Sequence, residues 1–230
     1  MNHPGVQVGT GAHGATMLCL DRPQRRNSLT AATVEAMAAA LDSDASATVV
    51  LCSATPGMFC SGADLMIDDA ERRAVSDHLY EVYETMVTRP GAVIAVVDGP
   101  AVGGGAQLAT AADLRVVGPN ARWKWAGPGH GLAVGSWILP DLIGRGRALS
   151  LMLTQRWLSA TEAVAYGLAD EISTAPDEVA DALVRTLAEL DGAAIARIKQ
   201  IASMPGVVRR LQEERDRNKA AFSGAIPSRR

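Results

Sequence analysis

The chain has 230 residues, 48% of them hydrophobic and 20% charged, with a formal net charge of -3. That length buries a sizeable core in one domain, and the even mixture excludes a disordered, fibrous or low-complexity protein. Of 22 basic residues only Lys124, Lys199 and Lys219 are lysines, and the arginines are scattered as singles and pairs, which excludes a basic stripe for nucleic acid or a polybasic tail for a membrane surface.

Residues 6–20, VQVGTGAHGATMLCL, predict a hairpin turning at its glycines. Ser28-Leu29-Thr30 opens an alanine-rich helix over Ala31 to Leu41, with Thr30 placed to cap it. Thr48 to Cys52 reads as a strand, and Pro56-Gly57 begins the loop after it. Asp68 to Arg89 predicts a long helix, because Val75, Leu79, Val82 and Met86 recur at spacings of three and four. Pro90-Gly91 ends that helix. Val93 to Val97 is a strand, a short helix follows Gly103-Gly104-Gly105, and Leu114 to Val117 is another strand. From Ser136 onward strands become scarce. Helices are expected over Arg145 to Leu153, Thr161 to Tyr166, Asp177 to Leu190, Ala193 to Ala202 and Val207 to Phe222. Alternating strands and helices point to an α/β body over residues 1–175 and a helical region over 176–230.

Cys19, Cys52 and Cys60 sit in or beside apolar runs and are odd in number, which reads as free thiols acting as small hydrophobes in a reducing compartment. The N-terminal MNHPGVQVGTG has no charged start followed by an apolar stretch, and no apolar run approaches the roughly 20 residues that cross a bilayer. A cytoplasmic protein without membrane insertion is expected. His3, His13, His78 and His130 form no HxH or HxxxH pair and the cysteines no CxxC, so no metal site is expected.

The three glycines at 103–105 admit several chemistries. A phosphate-gripping loop would need a lysine and a hydroxyl where Gln107-Leu108 stand, and a dinucleotide fingerprint would need a third glycine where Leu108 stands. Two readings remain. The glycines form a tight strand-to-helix turn that tolerates an unusual backbone angle, or they leave bare backbone so that a ligand reaches the unpaired N–H groups at the positive end of the helix. Met58-Phe59-Cys60-Ser61-Gly62-Ala63-Asp64-Leu65 also follows an apolar strand, passes through glycine and leads towards a helix. Two such turns can each aim one N–H at the same oxygen.

With that pair of turns, the chain resembles the crotonase superfamily, the enoyl-CoA hydratase/isomerase group. The resemblance runs from about Leu20 to about Ile172. Arg22-Pro23-Gln24-Arg25-Arg26-Asn27-Ser28-Leu29 is similar to the family's R-P-x-x-R-N-A-L. FCSGADL and the stretch from Asp98-Gly99-Pro100 to Asp113-Leu114-Arg115 follow in order, then Leu158-Ser159-Ala160-Thr161-Glu162-Ala163 and Gly167-Leu168-Ala169-Asp170-Glu171-Ile172. The resemblance implies a spiral of ββα units with a helical C-terminal region that builds a homotrimer or a dimer of trimers. It implies an acyl-CoA thioester as ligand, with coenzyme A as part of the substrate and no permanently held cofactor. The Ala63 and Gly104 N–H groups would form the oxyanion hole, with glycine at 104 admitting the thioester without a clash. Arg25, Arg26, Ser28, Ser61, Gly62, Asp64, Leu65 and Gly103 would lie along the coenzyme.

The departures from the family are chemical. Hydratases use two glutamates, and their positions here fall on Gln107 and Gly127. An amide orients water but neither takes nor delivers its proton at neutral pH. Syn addition of water to an enoyl-CoA is therefore expected to be crippled. Asp68, Asp69 and Glu71 are candidate substitutes, or ordinary capping acids. His130 is a candidate acid or base, or a surface side chain. Trp123, Trp125, Trp137 and Phe59 are placed in the acyl pocket or the core. After Phe222 the chain reads SGAIPSRR, so the family's C-terminal cover over the coenzyme is expected to be incomplete. Two function classes stay open: isomerase, hydrolase or divergent lyase chemistry on an acyl-CoA, or acyl-CoA binding without turnover.

Overall fold

The computed structural model describes residues 2–3, 5–202 and 206–222; the segment 223–230, on which the expectation of an incomplete cover rests, lies outside them. Strands β1 (Asn2–His3), β2 (Val6–Thr10) and β3 (Thr16–Leu20) form an antiparallel ribbon with Val6 opposite Leu20 and Thr10 opposite Thr16. This is the expected hairpin. Helix α1 (Ala31–Ser43) starts at Thr30, whose hydroxyl accepts the Thr33 N–H. It leads to β4 (Val49–Ser53), parallel to β3. Helix α2 (Asp69–Thr88) is capped by Asp68, whose carboxylate accepts the Glu71 N–H at 2.8 Å. Its Val75, Leu79, Val82 and Met86 are all buried on one face.

Strand β5 (Val93–Val97) is buried along its whole length, as a central parallel strand should be. After it come β6 (Pro100–Val102), α3 (Gly104–Ala111), β7 (Leu114–Val117) and β8 (Arg122–Lys124). Helices α4 (Leu139–Ile143) and α5 (Arg145–Thr154) precede β9 (Leu158–Ser159) and α6 (Ala160–Tyr166). Ser159 and Glu162 close a reciprocal cap at the start of α6. Helices α7 (Pro176–Ala188), α8 (Gly192–Ala202) and α9 (Val207–Ala221) follow.

The large sheet runs β1-β2-β3-β4-β5-β7, parallel from β3 onward, and a small sheet runs β6-β8-β9. Cys60 bridges Ala101 in parallel and thereby adds the segment before the first glycine turn to the small sheet. The chain thus climbs from a large-sheet strand through a small-sheet strand into a helix. That small sheet was not expected from the sequence, because strands of two or three residues carry no periodicity.

The C-terminal helices pack back on the same chain. Ala180 and Val184 of α7 bury against Val50, Ile94, Val96 and Val116 on one face of the large sheet. Lys199 of α8 pairs with Asp113 at 2.7 Å. Helix α9 lies along α2, held by Asp77 to Arg215 and by Asp77 to Lys219 at 2.8 Å.

The cysteines correct the expectation of three free thiols. Cys19 and Cys52 stand directly opposite on neighbouring parallel strands, with Cα atoms 4.5 Å apart, and are joined in a disulfide. Their separation of 33 residues conceals a juxtaposition that only the strand register creates. Cys60 remains a buried free thiol, and burial pushes its pKa up to about 12.

Candidate active site

The site begins with the RPQRRNS turn. Arg26 and Asn27 both adopt left-handed backbone angles, a conformation in which asparagine is among the tolerated residues. The buried Asn27 side chain accepts the Arg22 N–H at 2.7 Å and donates to Ser53 Oγ and to the Phe59 carbonyl at 3.0 Å. It fastens this turn to the segment that leads into the first glycine turn.

Asp64 makes the second fastening. Its carboxylate accepts from Arg22 at 3.1 Å, from Ser28 Oγ at 3.0 Å and from the Met66 N–H at 3.0 Å. Burial raises its pKa, but these hydrogen bonds outweigh the burial and hold it below the usual carboxylate value. The carboxylate is thus spent on shaping the turn.

Leu29 donates to the Gly62 carbonyl and accepts from the Asp64 N–H, each at 2.9 Å. In this parallel pairing the Ala63 N–H, between them, points to the opposite side, where the glycines of the second turn stand. There Val102 N–H donates to Cys60 O at 2.8 Å and Gly103 N–H to Lys124 O at 2.9 Å. A Cβ on Gly62 would stand 3.3 Å from Gly104 N and 2.7 Å from Val102 O. The two turns therefore touch backbone to backbone. Gly104 opens α3, so its N–H has no intrahelical acceptor, and no protein acceptor is found for it or for Ala63 N among the described residues. The positive end of α3 reinforces both donors.

Each glycine has its own reason. Gly103 sits at φ 54, ψ -116 with open space in its Cβ direction, and a Cβ on Gly105 would press to 2.5 Å from Cys60 O. At Gly104 a Cβ would meet Leu79 at 3.1 Å and the Tyr83 hydroxyl at 3.3 Å. Leu79 and Tyr83 both line the cavity, so a side chain at 104 would enter its wall, while one at 103 would meet nothing within 4 Å.

Both turns line a cavity of about 750 Å³. Arg25, Arg26, Ser28, Ser61 and Leu65 line one end, with Leu65 and Met66 exposed at the lip. Leu79, Tyr80 and Tyr83 of α2 form a wall that Asn218 and Phe222 extend. Lys124, His130 and Trp157 line another side, with Arg122 stacked 4.5 Å over the Trp157 ring. Among the described lining residues Asp64 is the only carboxylate. Burial first, and then the neighbouring Glu214 for Tyr80, pushes the Tyr80 and Tyr83 phenols up and away from any role as base at neutral pH. Asp68, Asp69 and Glu71 stand outside the cavity wall: Asp68 caps α2 and Asp69 pairs with Arg72 at 3.3 Å.

Gln107 lies at the cavity wall and is buried. Its side-chain oxygen accepts from Trp137 Nε1 at 2.8 Å and from the Gly135 N–H at 3.1 Å. Two donors on one atom fix which end of the amide is oxygen. The NH₂ end has no partner among the described residues and opens on the cavity. The Gly135 N–H is shared with Glu214, a buried carboxylate of α9 that also accepts from Tyr80 OH at 2.8 Å, Ser136 N–H at 2.7 Å and Ser136 Oγ. Asn218 donates to Tyr80 OH and to Ala133 O, each at 2.7 Å. The last helix thus holds the 133–137 loop that holds Gln107.

Gly127 lies outside the cavity wall, and a Cβ there would stand 2.5 Å from Leu132 O and 2.8 Å from Val134 Cγ2. The loop around Gly127 has no room for a larger side chain as it stands. Trp123, Trp125, Trp137 and Phe59 are buried in the core and do not line the cavity. Glu214 was not expected to shape the site, and Trp137 was expected to line the acyl pocket or pack the core, not to orient Gln107. A signal for Glu214 existed: Val207, Leu211, Glu214 and Asn218 share one stripe at helical spacing and are all buried, which marks Glu214 and Asn218 as polar groups with buried partners.

A model of the family described as enoyl-CoA hydratase/isomerase matches residues 11–228. A Mycobacterium leprae protein named "Probable enoyl-CoA hydratase echA6" is 35% identical over 208 residues, covering 86% of this chain and 83% of its own length. The crystal structure of an enoyl-CoA hydratase from Bacillus anthracis is similar with a TM-score of 0.81 and 28% identity, over 96% of this chain and 90% of that one. An enoyl-CoA hydratase/isomerase from Xanthobacter autotrophicus shares the fold with a TM-score of 0.87 at 21% identity, over 98% of this chain and 90% of that one.

Proposed function

The chain belongs to the enoyl-CoA hydratase/isomerase family of enzymes, and on that premise we propose that it binds an acyl-CoA with the thioester oxygen between the Ala63 and Gly104 N–H groups, without hydrating enoyl-CoA. The observation that carries the first half is the pair of unpartnered N–H groups on two touching turns at the cavity wall. Donors held at fixed positions in a partly dry site favour an oxygen on which charge develops over a neutral one. The second half rests on Gln107, whose amide replaces a carboxylate, and on Gly127, which has no room for one. Arg25 and Arg26, exposed at the cavity end, meet the coenzyme phosphates, and Ser61, Gly62 and Leu65 lie along the coenzyme. Ser28 and Asp64 act there through the shape of the turn. His130 lines the far side of the same cavity.

A homotrimer or dimer of trimers is part of the proposal, with exposed Ile198 and Ile201 of α8 covered between subunits; sedimentation of the full chain tests it. No described helix is long and apolar enough to cross a membrane; the cytoplasmic expectation drew on free thiols, and the Cys19–Cys52 disulfide removes that support.

Calorimetry of butyryl-CoA beside its thioether analogue, S-butyl-CoA, tests the binding mode. The two ligands differ at the carbonyl oxygen. The thioether should bind at least about tenfold more weakly, since it leaves two donors unpaired. Equal affinity would mean that the oxygen does not sit between these turns.

A further inference from the structure

The orientation of Gln107 goes further than the loss of a base, because it puts a hydrogen-bond donor where the acyl group must lie. The side-chain oxygen is committed to Trp137 Nε1 and Gly135 N–H. If the amide turned over, Trp137 Nε1 would lose its acceptor and Gly135 N–H would keep only Glu214, so the NH₂ stays on the cavity side. Gln107 lies three residues after Gly104 on α3, hence on the same face, about one helical turn from the oxyanion donor. Leu79, Leu132 and Val134 give the same cavity an apolar stretch of wall. Against such a wall a saturated or simple enoyl chain leaves the amide donor dry and unpaired, which is a penalty, whereas an acyl group carrying an oxygen there is rewarded.

We propose that the site selects 3-oxoacyl-CoA thioesters, with the thioester oxygen on the Ala63 and Gly104 N–H groups and the 3-oxo oxygen on the Gln107 amide nitrogen. The inference rests on the acyl-CoA reading above and names its substrate class. A 3-oxo group places its oxygen two carbons beyond the thioester carbonyl, so that two oxygens on one short unit meet two sets of donors on one face of α3. A carboxylate in the same place fits worse. Among the described residues the Gln107 side chain bonds only to Gly135 and Trp137, and a charge resting on one neutral amide would be weakly compensated for its lost solvation. A site that hydrogen-bonds such an oxygen discriminates strongly against analogues that lack it, because its own donor is then stranded.

The test is calorimetry of the full chain with acetoacetyl-CoA, butyryl-CoA and malonyl-CoA, repeated with Gln107→Glu. That variant keeps an oxygen for Trp137 and Gly135 and, when ionised, exchanges the donor for an acceptor, but it sets a second carboxylate beside Glu214; Gln107→Met, with neither donor nor charge, serves as the second variant. Wild type should bind acetoacetyl-CoA at least about tenfold tighter than butyryl-CoA, and both variants should lose that preference while still binding butyryl-CoA. Equal affinities in wild type, or a preference that survives in both variants, would overturn the proposal and leave acyl-CoA binding standing. Tighter binding of malonyl-CoA than of acetoacetyl-CoA would also overturn it, in favour of a carboxylate ligand. Binding of none of the three would overturn the acyl-CoA reading itself.

Discussion

The amide oxygen of Gln107 lies 2.8 Å from the indole nitrogen of Trp137, and that one contact turns the amide so that a donor, not an acceptor, meets the cavity. Trp137→Phe removes the indole donor and leaves a buried amide oxygen with one partner. We expect a loss of about 1–3 kcal/mol in urea unfolding, from the unmet hydrogen bond and the lost ring volume. Unchanged stability would show that the contact does not hold the amide.

Glu214 accepts from Tyr80, Gly135 and Ser136 while buried at 3% exposure. Glu214→Ala strands several buried donors at once and should cost on the order of 3 kcal/mol. Glu214→Gln retains one acceptor oxygen and should cost less. Equal losses in urea unfolding would contradict a role through hydrogen bonding.

Asp77 ties α2 to α9. The Arg215 hydrogen bond, with Lys219 beside it, lowers its pKa from 3.8 to about 2. A folded pKa below the unfolded one gives stability that is present above the unfolded value and lost as pH falls through the folded one. Asp77→Asn should therefore destabilise on the order of 2 kcal/mol near neutral pH, with the gap to wild type narrowing as the pH falls from about 4 towards 2. A gap independent of pH over that range would refute the pairing.

The Cys19–Cys52 disulfide makes a count the measurable quantity. Denatured, unreduced protein should take up one alkylating group, at Cys60, and reduced protein three. Mass spectrometry reads the number directly, and three groups without reduction would mean free thiols.

Much of the large sheet and its helices was legible in the sequence because long apolar periods write themselves plainly. Val93 to Val97 and Leu114 to Val117 are strands at those bounds, and Thr30 and Asp68 cap the helices they precede. The small sheet was not legible, since β6, β8 and β9 have two or three residues each and are defined by partners distant in sequence, such as Cys60 with Ala101. The glycine turns were legible as turns. That Gly103 needs its backbone angle while Gly105 needs closeness to Cys60 was not, because both demands come from neighbours in space. The same holds for Gln107. Its identity raised the question of the missing carboxylate, but its orientation is set by Trp137 and Gly135, thirty and twenty-eight residues away.

Hydration of crotonyl-CoA by the unaltered protein tests the central claim most directly. With an amide at 107 and no room for a glutamate at 127, the rate should fall at least about 10²-fold below that of a competent hydratase assayed alongside, the low end of what acid-base catalysis supplies. Gln107→Glu alone should not restore it, because the two carboxylates of a hydratase act on one water as a unit. A rate within tenfold of the competent enzyme would mean that a proton-transferring group reaches the acyl carbons after all, and that the account of Gln107 is wrong.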